Sequence, residues 1–449
     1  MTDPMEHIRS ALPGMTWPAI PDNDAARMLA LQFQFSQSQW WSPEQLREHQ
    51  LRQFQQIFQH AVTTVPYYRQ RYASLAHPGV TSWEQYCELP VCTRREVQQA
   101  ADAMHSTAAP AAHGALVKTQ SSGSTGSPLV TLGTAWTQLL WQALLLRDHL
   151  WQGRELRGKL AAIRTLTSDA TYAGWGIATS AFQTGPSVVR GMTNDLDEQV
   201  HWLARENPDY LLSLATNIHA LAARSLELGV RLPRLKQART YGEMLRPDCR
   251  AVVREAWGVD VADSYSSEEL GYIALQCPAS TNYHVQAESL IVEVLDDAGL
   301  PCRPGAIGQI VVSTLHNFAM PLLRYASGDY AEVGDQCACG RGLPVLRRIV
   351  GRQRNMLVRP DGSRYWPSFP SEDWADIVPI EQIQIVQKDR DSLEVRFVAP
   401  RDLTPDETGQ LIAALNRSLR CVYRTTLVRL TEIPRGAGRK YEDFISEVT

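Results

Sequence analysis

Ser121, Ser122, Gly123, Ser124, Thr125 and Gly126 fall in one unbroken stretch just after an apolar run containing Leu116 and Val117. Glycines let a backbone approach an anion and hydroxyls add donors, so such a stretch can wrap a polyphosphate. It lacks the Gly-Lys-Ser/Thr ending of a Walker loop, which counts against the P-loop template and a kinase-like phosphotransferase. By itself a Ser/Gly stretch is more often a plain solvated loop, so its company decides. Cys277, His284, Cys337 and Cys339 form a second constellation. Three thiolates and one imidazole suit tetrahedral Zn²⁺, and four protein ligands would close its shell and make the site structural. The alternative is four separate residues, with the cysteines acting as small buried hydrophobes. Cys87, Cys92, Cys249, Cys302 and Cys421 have no matching partners and read as packing residues.

The company of the Ser/Gly stretch follows in chain order. Tyr265-Ser266-Ser267-Glu268-Glu269-Leu270-Gly271, Arg324-Tyr325-Ala326-Ser327-Gly328-Asp329, Gly351-Arg352 and Arg435-Gly436-Ala437-Gly438-Arg439-Lys440 together resemble the ordered motifs of the adenylate-forming (ANL) superfamily. Val65-Pro66-Tyr67-Tyr68, Leu89-Pro90, Tyr241-Gly242-Glu243 and the run from Ala319 to Tyr325 are similar to its phenylacetate-coenzyme A ligase and CapK-like branch. The resemblance runs from about residue 50 to the end.

The resemblance implies an ATP-dependent ligase that activates a small, aromatic or other simple carboxylic acid as acyl-AMP and releases pyrophosphate. The acyl group then passes to coenzyme A by family default, or to an amine or other nucleophile. A non-catalytic nucleotide-binding relative is the rival reading. It further implies that Ser121, Ser122, Gly123, Ser124, Thr125 and Gly126 hold the β- and γ-phosphates, and that Tyr265, Ser266 and Ser267 belong to the ATP site. Glu269 takes part in holding Mg²⁺, with Glu268 as the neighbouring register. Asp329 accepts from the ribose hydroxyls, a task suited to a carboxylate, and Arg352 contacts ribose or phosphate. Lys440 pairs with the substrate carboxylate during adenylation. Tyr241, Gly242 and Glu243 lie near the acyl pocket, where Glu243 contacts substrate or supports the loop. Some members of the branch share the Cys/His pattern, and many relatives are homodimers. Two positions depart from the motifs: Ser266 replaces a usual glycine, and Gln353-Arg354-Asn355 replaces the acidic hinge.

The elements that must position these residues show in the periodicity. Helical spacing from Ser42 to Tyr72 and short helices from Ser82 to Gln98 make a helical N-terminal region over about 1–110. Helical segments at 134–152, 194–205 and 216–228 alternate with apolar runs at Leu160–Ile163, Tyr210–Leu214 and Arg239–Tyr241, the pattern of an α/β domain with a largely parallel sheet. From 282 to 333 the texture turns to β. After Gly351-Arg352 strands and a helix at Pro405–Leu419 make a small α+β unit. The expected organisation is a large N-terminal adenylation domain, 1–351, with parallel sheets and a β-rich subdomain, followed by a small mobile C-terminal lid domain, 352–449. Tyr172, Trp175, Phe182, Tyr241 and Met244 could line an apolar pocket, although aromatics at such spacings are more often core.

Composition narrows the class. With 44 Lys and Arg against 48 Asp and Glu the net charge is −4, so no basic field favours nucleic acid. Acids and a proline in the first fifteen residues do not make a signal peptide. The most apolar helical stretch, Trp136 to Leu150, is interrupted by Gln142, Arg147 and Asp148, short of the roughly 20 residues a bilayer needs. No membrane partner is expected. Eight cysteines spread through the chain suit a reducing, cytoplasmic setting.

Overall fold

Tyr210–Leu214 is buried at every position, as a strand must be when both faces of its sheet are covered. It belongs to a parallel array in the order Ser187–Gly191, Leu160–Arg164, Tyr210–Leu214, Gln237–Tyr241 and Asp260–Ser267. Helices Leu196–Glu206, Ala215–Glu227 and Pro247–Trp257 return the chain between successive strands. Their ends are written in the sequence. Asp195 caps the first by accepting from two backbone N–H groups, and the left-handed Asn207 stops it. Pro247 starts the third and Gly258, at φ +71°, ends it. Val200, Leu203, Ile218, Leu221 and Val253 close one face of the sheet over Ala161, Leu211, Ala238 and Val261. On the other face helix Ala135–Trp151 packs with helix Asn23–Ser38 through Met28, Phe35, Leu139 and Leu146.

The computed structural model that gives this picture describes residues 7–75, 79–120, 129–165, 168–192, 194–352, 355–365, 367, 379–380, 382–419, 421–433 and 442–448. The chain divides between Ile349 and Val350 into two compact units. The fold is mixed α/β with a large, parallel-rich sheet, as the alternation of elements predicts.

Beyond Asp260–Ser267 the same sheet turns antiparallel. It continues through Gly271–Gln276, Tyr283–Val285, Val345–Arg352, Tyr325–Val333, Ile307–Thr314 and Leu290–Leu295. The β texture expected from 282 is the antiparallel part of this sheet. Strand Tyr325–Val333 starts right after Arg324, which places the motif that ends at Asp329 along it. Helices Pro43–Thr64, Pro66–Arg71, Trp83–Glu88 and Arg94–Ala100 cover this part, burying Phe54, Ile57, Tyr68 and Tyr86 with Ile310, Val312 and Tyr325. Each such side chain contributes roughly 1.5–3 kcal/mol. Capping boxes, Ser42 with Gln45 and Thr93 with Glu96, start two of these helices.

The second unit has a four-stranded sheet in the order Arg424–Leu430, Ser392–Val398, Gln382–Asp389 and Phe444–Ser446, with helix Pro405–Leu419 supplying Leu411, Leu415 and Leu419 to its core. Among the described residues no helix is long and apolar enough to cross a membrane.

Candidate functional site

Tyr265 lies near the end of the last parallel strand, where the chain turns back through Glu268–Leu270 into Gly271–Gln276. Gly271 has φ +81°, a conformation that favours glycine, and Leu270 N–H donates to Ser267 Oγ at 3.3 Å. The hairpin pairs Ser267 with Gly271 and Ser266 with Tyr272. From here the Tyr265 hydroxyl donates to Asp329 Oδ2 at 2.7 Å. Burial, then the Asp329 charge, holds that phenol well above its ordinary range, so it remains a donor. Asp329 follows Gly328, at φ +84°, and its own N–H donates to Ser327 Oγ at 3.2 Å.

The turn separates its two acids. Glu268 is exposed. The Glu269 side chain, 7% exposed, accepts from Arg94 Nη1 at 3.1 Å and from the Tyr325 hydroxyl at 3.4 Å. Both contacts fall on Oε1, and Oε2 accepts no hydrogen bond among the described residues, so one oxygen remains for a hard cation. Arg94 is brought here because Cys92 and Thr93 pair in parallel with Tyr325 and Ala326. It was not among the expected site residues.

Arg324, in the same motif, is structural. Its guanidinium makes two bonds to Glu293, at 2.9 and 3.0 Å, and reaches the carbonyls of Cys87 and Leu89. It thereby pins the loop that carries Leu89-Pro90, at a backbone φ of +45°.

A cleft open to solvent lies between helix Ala135–Trp151, the hairpin turn at Glu268–Gly271 and the segment around His316. Trp141 packs over the turn, its ring centroid 5.3 Å from that of Tyr272. Trp141 and His316 are further residues that the sequence reading passed over.

Glu243 ties down its own loop. Its Oε2 accepts from the backbone N–H and hydroxyl of Thr216 at 2.9 and 2.8 Å, capping helix Ala215–Glu227, whose N-cap Leu214 has no capping side chain. Gly242 permits the turn at φ +73°, and the Tyr241 ring lies 6.0 Å from the Arg164 guanidinium. Of the candidate pocket aromatics, Trp175 and Phe182 belong to the core, whereas Tyr172 and Met244 are exposed.

Cys277, His284, Cys337 and Cys339 come together. Their ligand atoms all lie within 4.8 Å of one another, and no other group of this kind is found among the described residues. Cys277 and Cys337 Sγ are 3.7 Å apart and Cys339 Sγ is 3.3 Å from His284 Nε2. Tetrahedral bonds of about 2.3 Å to a central ion would set sulfurs about 3.8 Å apart, whereas a disulfide needs about 2.05 Å. Burial, then the Arg341 charge, lowers His284 to about 4, leaving the neutral imidazole a metal requires. The donor set and spacing fit a tetrahedral ion.

The quartet's loop also holds the N-terminal region. Gly342 N–H donates to Gln39 O at 2.9 Å and Arg341 Nε to Gln39 Oε1 at 3.1 Å. The Arg341 guanidinium lies over Trp40 and Trp151, 5.1 and 4.5 Å from their ring centroids. A Cβ at Gly342 would run into the Trp41 carbonyl.

Ser121, Ser122, Gly123, Ser124, Thr125, Gly126, Gln353, Arg354 and Lys440 lie outside the described residues. The strands flanking the Ser/Gly stretch pair antiparallel, with Gln120 opposite Val130. Arg352 ends strand Val345–Arg352 and donates its N–H to Asn355 Oδ1 at 3.1 Å.

No family model matches the chain. Among curated proteins it is similar to the phenylacetate-coenzyme A ligase of Pseudomonas putida, with 24% identity over 356 residues covering 76% of this chain and 77% of that one. Against the Escherichia coli protein of the same name it is 22% identical over 426 residues, 90% of this chain and 95% of that one. Among solved structures, 2-hydroxyisobutyryl-CoA ligase in its postadenylation state gives a TM-score of 0.72 over 92% of each chain, at 18% identity. The anthranilate CoA ligase AuaEII gives 0.52 over 72% of this chain and 65% of that one, at 17% identity. The chain has the fold of the adenylate-forming ligases and, along most of its length, is similar to their phenylacetate-coenzyme A ligase branch.

Proposed function

We propose that the protein is an ATP-dependent, AMP-forming carboxylate ligase that activates a small, aromatic or similar acid and passes it to coenzyme A. A carboxylate oxygen attacks the α-phosphorus of ATP and the bond to pyrophosphate breaks. The coenzyme A sulfur then forms a thioester and AMP leaves. The observation that carries the reading is the meeting of two separate motifs, Tyr265 on Asp329 and Glu269 on Tyr325, beside an open cleft.

In this reading Asp329, fixed by the Tyr265 hydroxyl, accepts from the ribose, with Ser266 and Ser267 beside it. Ser121, Ser122, Gly123, Ser124, Thr125 and Gly126 hold the phosphates. Glu269 offers Oε2 to Mg²⁺, which when bound neutralises phosphate charge. Arg352 contacts the nucleotide, and Lys440, from the small lid unit that follows Ile349, pairs with the substrate carboxylate. Cys277, His284, Cys337 and Cys339 hold a structural Zn²⁺, for which four ligands leave no open position. Tyr241, Gly242 and Glu243 support the wall of the acyl site. The protein works in the cytoplasm as a homodimer.

Pyrophosphate release from Mg-ATP is the test, across aryl and aliphatic acids with and without coenzyme A. Release with one acid class supports adenylation, and acyl-CoA formation identifies the acceptor. ATP binding with no release from any acid rejects the ligase in favour of a nucleotide binder.

A further inference from the structure

Strand Leu160–Arg164 is where the parallel sheet changes direction. After it the chain builds Ser187–Gly191 on one side, then crosses over to lay Tyr210–Leu214 on the other and Gln237–Tyr241 beyond that. The connections leaving the carboxyl ends of Leu160–Arg164 and Tyr210–Leu214 therefore part in opposite directions. Open parallel sheets bind small molecules in the crevice that such a parting leaves. Arg164 is the last residue of its strand, at the mouth of that crevice.

The direction in which Arg164 faces follows from the register. Side chains alternate between the two faces of a strand, and Ala161, Ile163, Leu211, Ala238 and Val261 are packed under the crossover helices. Arg164 follows Ile163 and takes the opposite face. It stands two residues past Ala162, the partner of Leu212, which sets it level with Leu214, itself the partner of Tyr241. Tyr241 in turn pairs with Ser264, next to Tyr265. Arg164, Tyr241 and the Tyr265–Asp329 bond thus share one end of the sheet. Three strand spacings of about 4.8 Å each separate the strand of Arg164 from that of Tyr265, room enough for the body of a small acid.

The other arginines of these strands have partners. Arg190 pairs with Asp169 and Glu198, and Arg239 with Asp148 and Tyr272. The Arg164 side chain is exposed and makes no hydrogen bond or ion pair among the described residues, and its guanidinium lies 6.0 Å from the centre of the Tyr241 ring. Burial raises the Tyr241 phenol, and the Arg164 charge leads the influences that oppose it. Glu243, the acid of the same loop, is turned to Thr216. Packing on a ring occupies the flat face of a guanidinium and leaves its N–H edge free. That edge matches a carboxylate through two parallel hydrogen bonds.

We propose that the acid this protein activates carries a second carboxylate, held by Arg164 against Tyr241 while the reacting carboxylate lies at the nucleotide. The inference rests on the ligase reading, in which Tyr241, Gly242 and Glu243 support the wall of the acyl site, and adds to it a substrate class and a specificity-determining residue. A neutral analogue of the same shape covers the guanidinium without pairing it, and the site rejects it for that reason.

The experiment measures pyrophosphate release by the full-length protein with Mg-ATP and matched acids, the benzenedicarboxylates against the carbamoylbenzoates of the same shape and glutarate against glutaramate. The best diacid should exceed its neutral partner by at least about tenfold in kcat/KM. Arg164→Gln should bring that ratio to within about threefold, chiefly by raising KM for the diacid, and Arg164→Lys, which keeps the charge without the fork, should retain part of it. Neutral acids used as well as diacids would overturn the proposal and leave the ligase intact, as would a preference for diacids that survives Arg164→Gln. Silence with every acid would overturn the ligase reading and the proposal with it.

Discussion

Arg94 and Glu269, 175 positions apart, share a 3.1 Å ion pair in which the guanidinium holds Oε1 and leaves Oε2 without a hydrogen bond among the described residues. The pair fixes a carboxylate that would otherwise rotate, and in the proposed reading this holds the acid ready for Mg²⁺. Glu269→Gln, which keeps the shape and removes the charge, should lower pyrophosphate release about 10²-fold and raise the Mg²⁺ concentration needed for half-maximal rate. Arg94→Ala should cost about tenfold by loosening the same carboxylate. A Mg²⁺ titration of each variant checks both, and an unchanged midpoint in Glu269→Gln would remove Glu269 from the metal.

Arg324 carries stability. Its bidentate pair with Glu293 is largely buried, with side chains 5% and 12% exposed, and Tyr86 adds a hydroxyl to Glu293 at 3.1 Å. Removing one partner of such a pair strands the other and costs about 3–5 kcal/mol. Arg324→Ala should therefore lower the midpoint of thermal or urea unfolding markedly, and Glu293→Gln should do so less. Equal stability of Arg324→Ala and wild type would contradict this assignment.

A Zn²⁺ held by the Cys277, His284, Cys337 and Cys339 quartet, as proposed, predicts a coupled loss. Purified protein should contain about one Zn²⁺ per chain by elemental analysis, and Cys337→Ser should lose most of it. Because the same loop binds Gln39 and covers Trp40, chelation should also expose the chain near residues 39–41 to protease. A metal-free protein with wild-type stability and unchanged cleavage would reject the site.

What could be read beforehand follows the range of each signal. Tyr210–Leu214 was readable because a doubly covered strand writes its burial into consecutive residues. Helix Asn23–Ser38, inside the region expected to be helical, carries equally local marks, the Asp22 cap and Ala25, Met28 and Phe35 at helical spacing. Helix Pro247–Trp257 is not among the expected helical segments, despite its proline start and glycine stop. Arg94 was beyond reach. Its function depends on a two-residue parallel pairing with Tyr325 and Ala326, and nothing near Thr93 announces that partner. The cysteines and His284 were legible as metal chemistry by type, while their convergence depends on three adjacent strands that only the folded sheet brings together.

A buried histidine sets the response to acid. His149 Nδ1 lies 3.2 Å from Arg154 Nη1, its ring centroid is 5.4 Å from that of Trp175, and Asp148 bridges Arg154 and Arg239 beside it. Burial, then the Arg154 and Arg239 charges, puts its pKa well below the ordinary 6.5, with Asp148 opposing. Below pH 6.5 the unfolded chain binds a proton at His149 that the native state refuses, so stability falls with falling pH, by at most about 1.4 kcal/mol per unit for this group. Asp148, held at about 2, adds its own loss only below its ordinary 3.8. Other histidines, the buried His284 and the partly buried His60, His219 and His316, are also lowered and act in the same direction, so the decisive measurement is a difference. Urea unfolding of wild type and His149→Gln at about pH 7 and about pH 5 should show the variant losing less stability, by up to one proton's worth of slope. Parallel losses in the two proteins would mean that His149 is protonated in the folded state, against the geometry of its arginine neighbours.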